Sequence, residues 1–289
     1  MNGYNLLVFS FLSQGLTATL VVEYSTIVFG SVYIEAAAKL GVVIVMMLLN
    51  FLGSKTVSLI SMLSTPFIFG CFIVLAIVAA VRGSYDNFRW SSIIDDHPSP
   101  FFANTQWGLY FSTLVWSFGG FDSVGSAAGE VAGGVKSFAL AFVLTIPIVM
   151  ANYALPVLVG YAIKPEWTKW QSGYFSVIGG LVSPVVGTMM IVAAVLCSAA
   201  SLNAAYVPCS RIIWASARQR GRLQLFPRVF SYSIRIGKAV VPFTATILSA
   251  LMTWLASIFP YDSAVQLYLL FRLVNLAIEF ASLVRLRFT

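Results

Sequence analysis

Apolar residues in this chain come in long uninterrupted blocks, set apart by short polar stretches. A helix needs about 20 mostly apolar residues to cross a hydrocarbon core. Eight windows meet that requirement: 5–30, 32–53, 57–82, 107–133, 136–163, 174–207, 240–259 and 263–284. The breaks at 53–56, 134–136 and 259–262 are so short that the windows they join must run antiparallel, which predicts one helical bundle over 1–289. Pro66, Pro147, Pro156 and Pro184 fall inside windows, where neighbouring helices must re-satisfy the freed backbone. The outer loop 83–106 is the longest exposed polar segment.

Composition turns this pattern into a class. The chain is 59% hydrophobic and 9% charged, against about 25% charged in soluble domains, and its mean hydropathy is +0.90. Its 23 Phe, 12 Tyr and 7 Trp suit lipid contact and interfacial belts. The expectation is an all-α, multi-pass integral membrane protein with about eight spans. Met1 opens almost directly into the first window, so no cleaved leader is expected. Cys71, Cys197 and Cys209 are odd in number and unpaired in spacing. They predict small apolar filler rather than a disulfide framework or a zinc site, and neither a metal nor a cofactor is expected.

The net charge of +7 is concentrated rather than spread. Arg211, Arg218, Arg220, Arg222, Arg228, Arg235 and Lys238 share one stretch that holds no acid. This is a topology signal rather than a nucleic-acid patch: the positive-inside rule makes 208–239 a cytoplasmic basic loop. A short amphipathic helix over 210–221 is expected there, with Arg211 and Arg218 toward headgroups. With eight spans that side also receives Lys55, Lys136, Arg285 and Arg287, eleven positives in all. The other side receives four: Arg82, Arg89, Lys164 and Lys169. Both termini then face the cytoplasm.

The stretch 116–122, reading WSFGGFD, carries the candidate chemistry. Gly119 and Gly120 each cost a helix about 1 kcal/mol relative to Ala. A break of this kind survives in a membrane only where protein or a wet cavity surrounds it. Broken helices of this sort build the midplane sites of secondary transporters. The carbonyls ending the first half-helix carry partial negative charge, Asp122 follows at once, and Ser126 stands one turn on. Together they favour an ammonium or a coupling cation, and Trp116 can add a cation–π contact of about 0.5–2 kcal/mol. Asp122 equally fits as the cap of the second half-helix.

Other acids inside apolar windows are functional candidates by their cost. Glu130, about 12 Å beyond Asp122 along a helix, reads as an inner gate or proton carrier, or as an interfacial partner of Lys136. Glu23 has no basic residue at helical spacing, so it needs a partner on another helix or a pKa raised enough to keep it protonated. Glu279 shares a face with Asn275 and Arg272, and Arg272 predicts a charge pair with a neighbouring helix. Glu35 and Lys39, at i and i+4, predict an ion pair near a helix end. Gly125, Gly129 and Gly133 form a close-packing stripe. Ser198, Ser201 and Asn203 give their window a polar stripe, for interhelical hydrogen bonds or for substrate. His97 is the lone histidine, and no H-E-x-x-H, G-x-S-x-G, Walker A or C-x-x-C occurs, so neither an enzyme nor an ATP-driven pump is expected.

These residues resemble a known family. LVWSFGGFDSVGSAAGEV at 114–131 is similar to the sixth-helix motif of amino acid–polyamine–organocation permeases, above all eukaryotic polyamine uptake transporters. Leu49–Gly53 and Thr65–Phe67 resemble the fourth and fifth helices, and Tyr174–Ser176 the approach to the eighth. Arg220 to Leu223 with Phe226–Pro227 resembles the segment before the ninth, and 278–287 the tenth. The resemblance implies a LeuT-like fold of twelve spans with an inverted repeat of five plus five. This chain would supply spans three to ten, without counterparts of the first two and last two. It implies that Trp116, Phe121 and Asp122 lie at the substrate-facing break. Glu23–Tyr24 would match the third helix's acid–aromatic pair, and Glu130 the A-G-E-V acid. The implied function is proton-coupled symport of a polyamine such as putrescine or spermidine, in the plasma membrane. An amino acid permease is one alternative, and a truncated, transport-inactive pseudo-permease or membrane scaffold is another. The implied partners are a small cationic substrate, H+ and the bilayer.

Overall fold

The computed structural model describes residues 2–25, 31–83, 85, 106–119, 134–166, 169–171, 173–219, 224–236 and 239–288. Among them the apolar windows are helices: α1 (Asn2–Tyr24), α2 (Val32–Phe51), α3 (Ser54–Val81), α4 (Trp107–Ser117), α5 (Gly134–Ile163), α6 (Tyr174–Val182), α7 (Pro184–Arg218), α8 (Phe243–Ala256) and α9 (Tyr261–Phe288). A 3₁₀ turn (Arg228–Ser231) and an antiparallel pair, β1 (Ile234–Ile236) with β2 (Ala239–Val241), join α7 to α8. Six of the helices, α1, α2, α3, α5, α7 and α9, are long and apolar enough to cross a bilayer. The 14 residues of α8 rise only about 21 Å, short of a hydrocarbon core of about 30 Å. The chain is an all-α, multi-pass integral membrane protein.

The structure redraws three expected boundaries. The window 174–207 is two helices, because Ser183 is extended (φ −164°, ψ 139°) between Val182 and Pro184. Pro184 is therefore not a mid-span kink. It opens α7, where its missing N–H costs nothing. The short helix expected over 210–221 is the end of α7, which runs unbroken to Arg218. Ser210, Ile213 and Ala217 keep one face buried, so the apolar stripe that drives the helix continues past 207. The window at 240 opens as a strand, and α8 starts only at Phe243.

The described residues group into two compact units. The first comprises residues up to Ser64, Gln106–Ser117 and Val195 onward. Its central element is α1. More than half of its most apolar stretch is buried, against a third or less in the other membrane-length helices. It packs on α9, α8 and α2, while α4 packs on α9. Glycine lets α1 and α8 meet: a Cβ on Gly15 would lie 2.7 Å from the Ala256 carbonyl carbon. Gly53 ends α2 at φ 98°, a conformation that suits glycine.

The second unit holds Thr65 to the end of α3, α5, α6 and the first part of α7. Its core joins Leu75, Ala79, Val159, Ile178, Val182 and Met190. A Cβ on Gly187 would sit 3.0 Å from the Gly180 Cα, so α6 folds back against the start of α7. The Arg82 guanidinium donates to the Val182 carbonyl at 2.6 Å, tying the end of α3 to the end of α6.

Candidate functional site

The helix leading into the glycine pair stops where a substrate site is expected to begin. α4 ends at Ser117 and Phe118–Gly119 form a turn. Gly120, Phe121, Asp122, Ser126 and Glu130 lie outside the described residues. Trp116, in the last turn of α4, is fixed on two sides. Its indole N–H donates to Ser13 Oγ on α1 at 3.3 Å. Its ring meets Tyr261, the first residue of α9, edge to face at 6.4 Å, a geometry that aligns a ring edge with a π face.

Tyr261 gathers the remaining pieces. Tyr24, Glu23 and Asp262 all lie within electrostatic reach of its hydroxyl. Glu23 is exposed on the last turn of α1, and Tyr24 half-buried beside it. Glu23 stands in the last turn of α1, which ends at Tyr24, rather than at mid-helix. Three expected site residues, Trp116, Glu23 and Tyr24, surround a phenol that sequence reasoning passed over. The available signal was Tyr261–Asp262, an aromatic–acid pair at the head of the last window. Two aromatic faces with a carboxylate alongside suit an organic cation.

Glu279 does not join this group. It lies 18 residues along α9 from Tyr261, about 27 Å away, and accepts from Asn275 Nδ2 at 2.6 Å. Arg272, on the same face, is only 2% exposed and lies 5.0 Å over the Phe9 ring of α1.

A second polar cluster ties α1, α2, α7 and α8. Gln14 is 1% exposed and accepts from Ser249 at 3.2 Å and from Thr253 at 2.8 Å. Lys39, buried in α2, pairs with Glu35 at 2.7 Å and donates to the Ser257 carbonyl at 3.1 Å. Thr19 donates to the same carbonyl at 3.3 Å. Asn50 Nδ2 donates to Asn203 Oδ1 at 2.6 Å, so Asn203 serves an interhelical bond. The cysteines are free, with Cys71 and Cys209 buried. Among the described residues no three His, Cys, Asp or Glu side chains stand together as metal ligands.

Membrane-length helices, a short helix stopping at an aromatic pair near an acid, and buried interhelical polar clusters define a multi-pass helical membrane protein. The sequence pattern of the family described as Amino acid permease matches residues 1–289, and the chain belongs to that family. It is 26% identical over 265 residues to the polyamine transporter RMV1 of Arabidopsis thaliana, covering 90% of this chain and 51% of that protein. It is 30% identical over 148 residues to the polyamine transporter PUT1 of Oryza sativa subsp. japonica, covering 51% of this chain and 26% of that protein. The chain spans about half the length of RMV1.

Proposed function

We propose that this chain belongs to a polyamine permease that works by alternating access around the break at 116–122. The observation that carries this reading is the meeting of Trp116 and Tyr261 within reach of Glu23. Aromatic faces and carboxylates favour ammonium groups, and an inside-negative potential draws a cation inward by about 2.3 kcal/mol per charge per 100 mV. The similarity to RMV1 and PUT1, both polyamine transporters by name, supports the same substrate class. In this reading Trp116, Phe121, Asp122, Ser126, Glu23 and Tyr24 face the substrate, and Gly119 and Gly120 open the helix. Glu130 and Glu279 couple transport to protons. The protein resides in the plasma membrane, with 208–239 and both termini in the cytoplasm.

The test is uptake of labelled putrescine and spermidine by cells expressing the protein, with arginine and leucine as competitors. Saturable polyamine uptake, lost in Asp122→Asn at unchanged expression, is the expected result. Uptake of leucine alone, blocked by leucine and untouched by putrescine, would replace this reading with an amino acid permease, the second reading that the family description favours.

A further inference from the structure

One serine organises the connection between α7 and α8. Ser231 closes the 3₁₀ turn Arg228–Ser231. Its carbonyl accepts the Trp214 indole N–H at 3.0 Å, which moors the turn to the end of α7. Its hydroxyl donates to the Arg228 carbonyl at 2.6 Å on the exposed side of the turn. The Phe230 N–H reaches the Pro227 carbonyl at 3.1 Å, and the Thr244 hydroxyl donates to Val229 at 2.9 Å. On either side the backbone is already drawn out, at Pro227 (φ −55°, ψ 147°) and at Tyr232 (φ −69°, ψ 130°). A four-residue 3₁₀ turn has poor hydrogen-bond geometry and opens at little cost. Opening it leaves the residues around Ser231 as one extended strand.

Charge around this serine is of one sign. Arg228 stands three residues before it and Arg235 four after it, both exposed. Arg218, also exposed, lies with its guanidinium 4.5 Å over the same Trp214 ring whose N–H holds Ser231. Between Glu166 and Asp262 the sequence contains no Asp or Glu. Tyr232, directly after the serine, is exposed. Other serines of the basic stretch are less accessible. Ser210 is buried, and Ser216 lies within α7 and donates to the Ile212 carbonyl at 2.7 Å. Arg-x-x-Ser occurs twice in the chain, at 228–231 and at 89–92, and the second lies outside the described residues.

We propose that Ser231 is the phosphoacceptor of an arginine-directed serine kinase, and that the phosphate it gains pairs with Arg218. Such kinases read substrate charge with their own carboxylates, and Arg228 is the residue they would read here. The Ser231 Oγ attacks the γ-phosphorus of ATP. An O–P bond forms, the bond to the bridging oxygen of ADP breaks, and the hydroxyl proton passes to the kinase's catalytic Asp. The product carries about −1.5 to −2 charges and three strong acceptor oxygens in a stretch that has no acid of its own. Arg218, tied to Ser231 through Trp214, answers it with charge-assisted hydrogen bonds and fastens the connection to the end of α7. The proposal rests on the cytoplasmic placement of 208–239, the side where ATP and kinases are found.

The test is incubation of the purified full chain in detergent with ATP and the catalytic subunit of cAMP-dependent protein kinase, the modified residue being located by fragmentation mass spectrometry. One phosphoryl group on Ser231 is expected. Arg228→Gln should slow its addition about tenfold, the equivalent of one lost charged hydrogen bond. Arg218→Gln should leave the rate unchanged but remove the rise in Tm that phosphorylation gives the parent. Ser231→Thr should still be labelled, which guards against a fold defect in Ser231→Ala. No transfer, transfer to Tyr232 or Ser233 instead, or an equal rate in Arg228→Gln would overturn the proposal. A Tm rise that survives in Arg218→Gln would overturn the assigned phosphate partner. The same kinase and ATP added to sealed vesicles test the placement separately. Labelling of inside-out vesicles alone is expected, and labelling of right-side-out vesicles alone would refute the cytoplasmic placement while the detergent result stood. None of these readouts depends on transport.

Discussion

Lys39 Nζ lies 3.1 Å from the carbonyl oxygen of Ser257, the residue that caps α8 218 positions later in the chain. A helix C-terminus carries partial negative charge, so a buried ammonium there answers both an unpaired carbonyl and the helix dipole. Glu35 completes the neutralisation from one turn away. Removing Glu35 leaves a buried cation with only a carbonyl for company, whereas removing both charges leaves nothing stranded. Glu35→Gln should therefore destabilise by about 1–2 kcal/mol, a value kept below that of a fully buried pair because Glu35 is 38% exposed. The double variant Glu35→Gln, Lys39→Met should recover part of the loss. Thermal unfolding in detergent measures both, and a strictly additive pair would show that the charges do not interact.

Gly15 should tolerate no side chain. An added Cβ would meet Ala256 and Ser257 backbone atoms at 2.7–2.8 Å, and backbone cannot step aside as a flexible side chain can. Gly15→Ala should cost about 1–3 kcal/mol, the range for overpacking. The matched control is Gly41→Ala in α2, where nothing lies within 4 Å. That change should be neutral or stabilise by up to about 1 kcal/mol through helix propensity alone. Folded yield by size-exclusion chromatography and Tm would separate the two.

The Trp116 indole N–H and ring can be dissected in uptake assays. Trp116→Phe keeps a ring against Tyr261 but loses the bond to Ser13, worth about 1 kcal/mol, and should reduce kcat/KM roughly fivefold. Tyr261→Phe should be mild if the ring face matters most, and Tyr261→Ala should lose about tenfold, as expected of a desolvated cation–π contact. Equal activity in Tyr261→Ala and the parent would remove Tyr261 from the site.

Asn50 and Asn203 form a buried amide pair between α2 and α7. Asn203→Leu should cost about 0.6 kcal/mol, the average for an interhelical hydrogen bond in membranes, because Asn50 Nδ2 loses the Asn203 side chain but keeps the Met46 and Asn203 backbone carbonyls. Asn50→Leu combined with Asn203→Leu should cost less than the sum of the single changes, which a double-mutant cycle on Tm would read.

The elements most legible in the sequence are those settled within one helix. The apolar run from Val32 stops at Gly53, and α2 stops beside it. The Glu35–Lys39 pair follows from i,i+4 spacing and is present. The misreadings have one cause. A run of apolar residues does not reveal where the backbone turns within it, so 174–207 reads as one span although Ser183 breaks it. Partners far apart in sequence leave no local trace: neither Ser257 behind Lys39 nor Tyr261 beside Trp116 is visible until the helices are packed. Glu23 reads as a mid-helix acid because the apolar window runs to residue 30, while the helix that carries it ends at Tyr24.

The burial of Arg272 against Phe9 bears on how the protein is made. An arginine at mid-helix costs about 2.5–3.5 kcal/mol to insert into lipid by itself, and α9 holds one at 2% exposure. The ring that shelters it stands on α1, 263 positions earlier in the chain than the arginine, so it leaves the ribosome first. The earlier of the two helices thus acts as an intramolecular receptor for the later, so α9 should remain at the translocon until α1 is positioned to accept it.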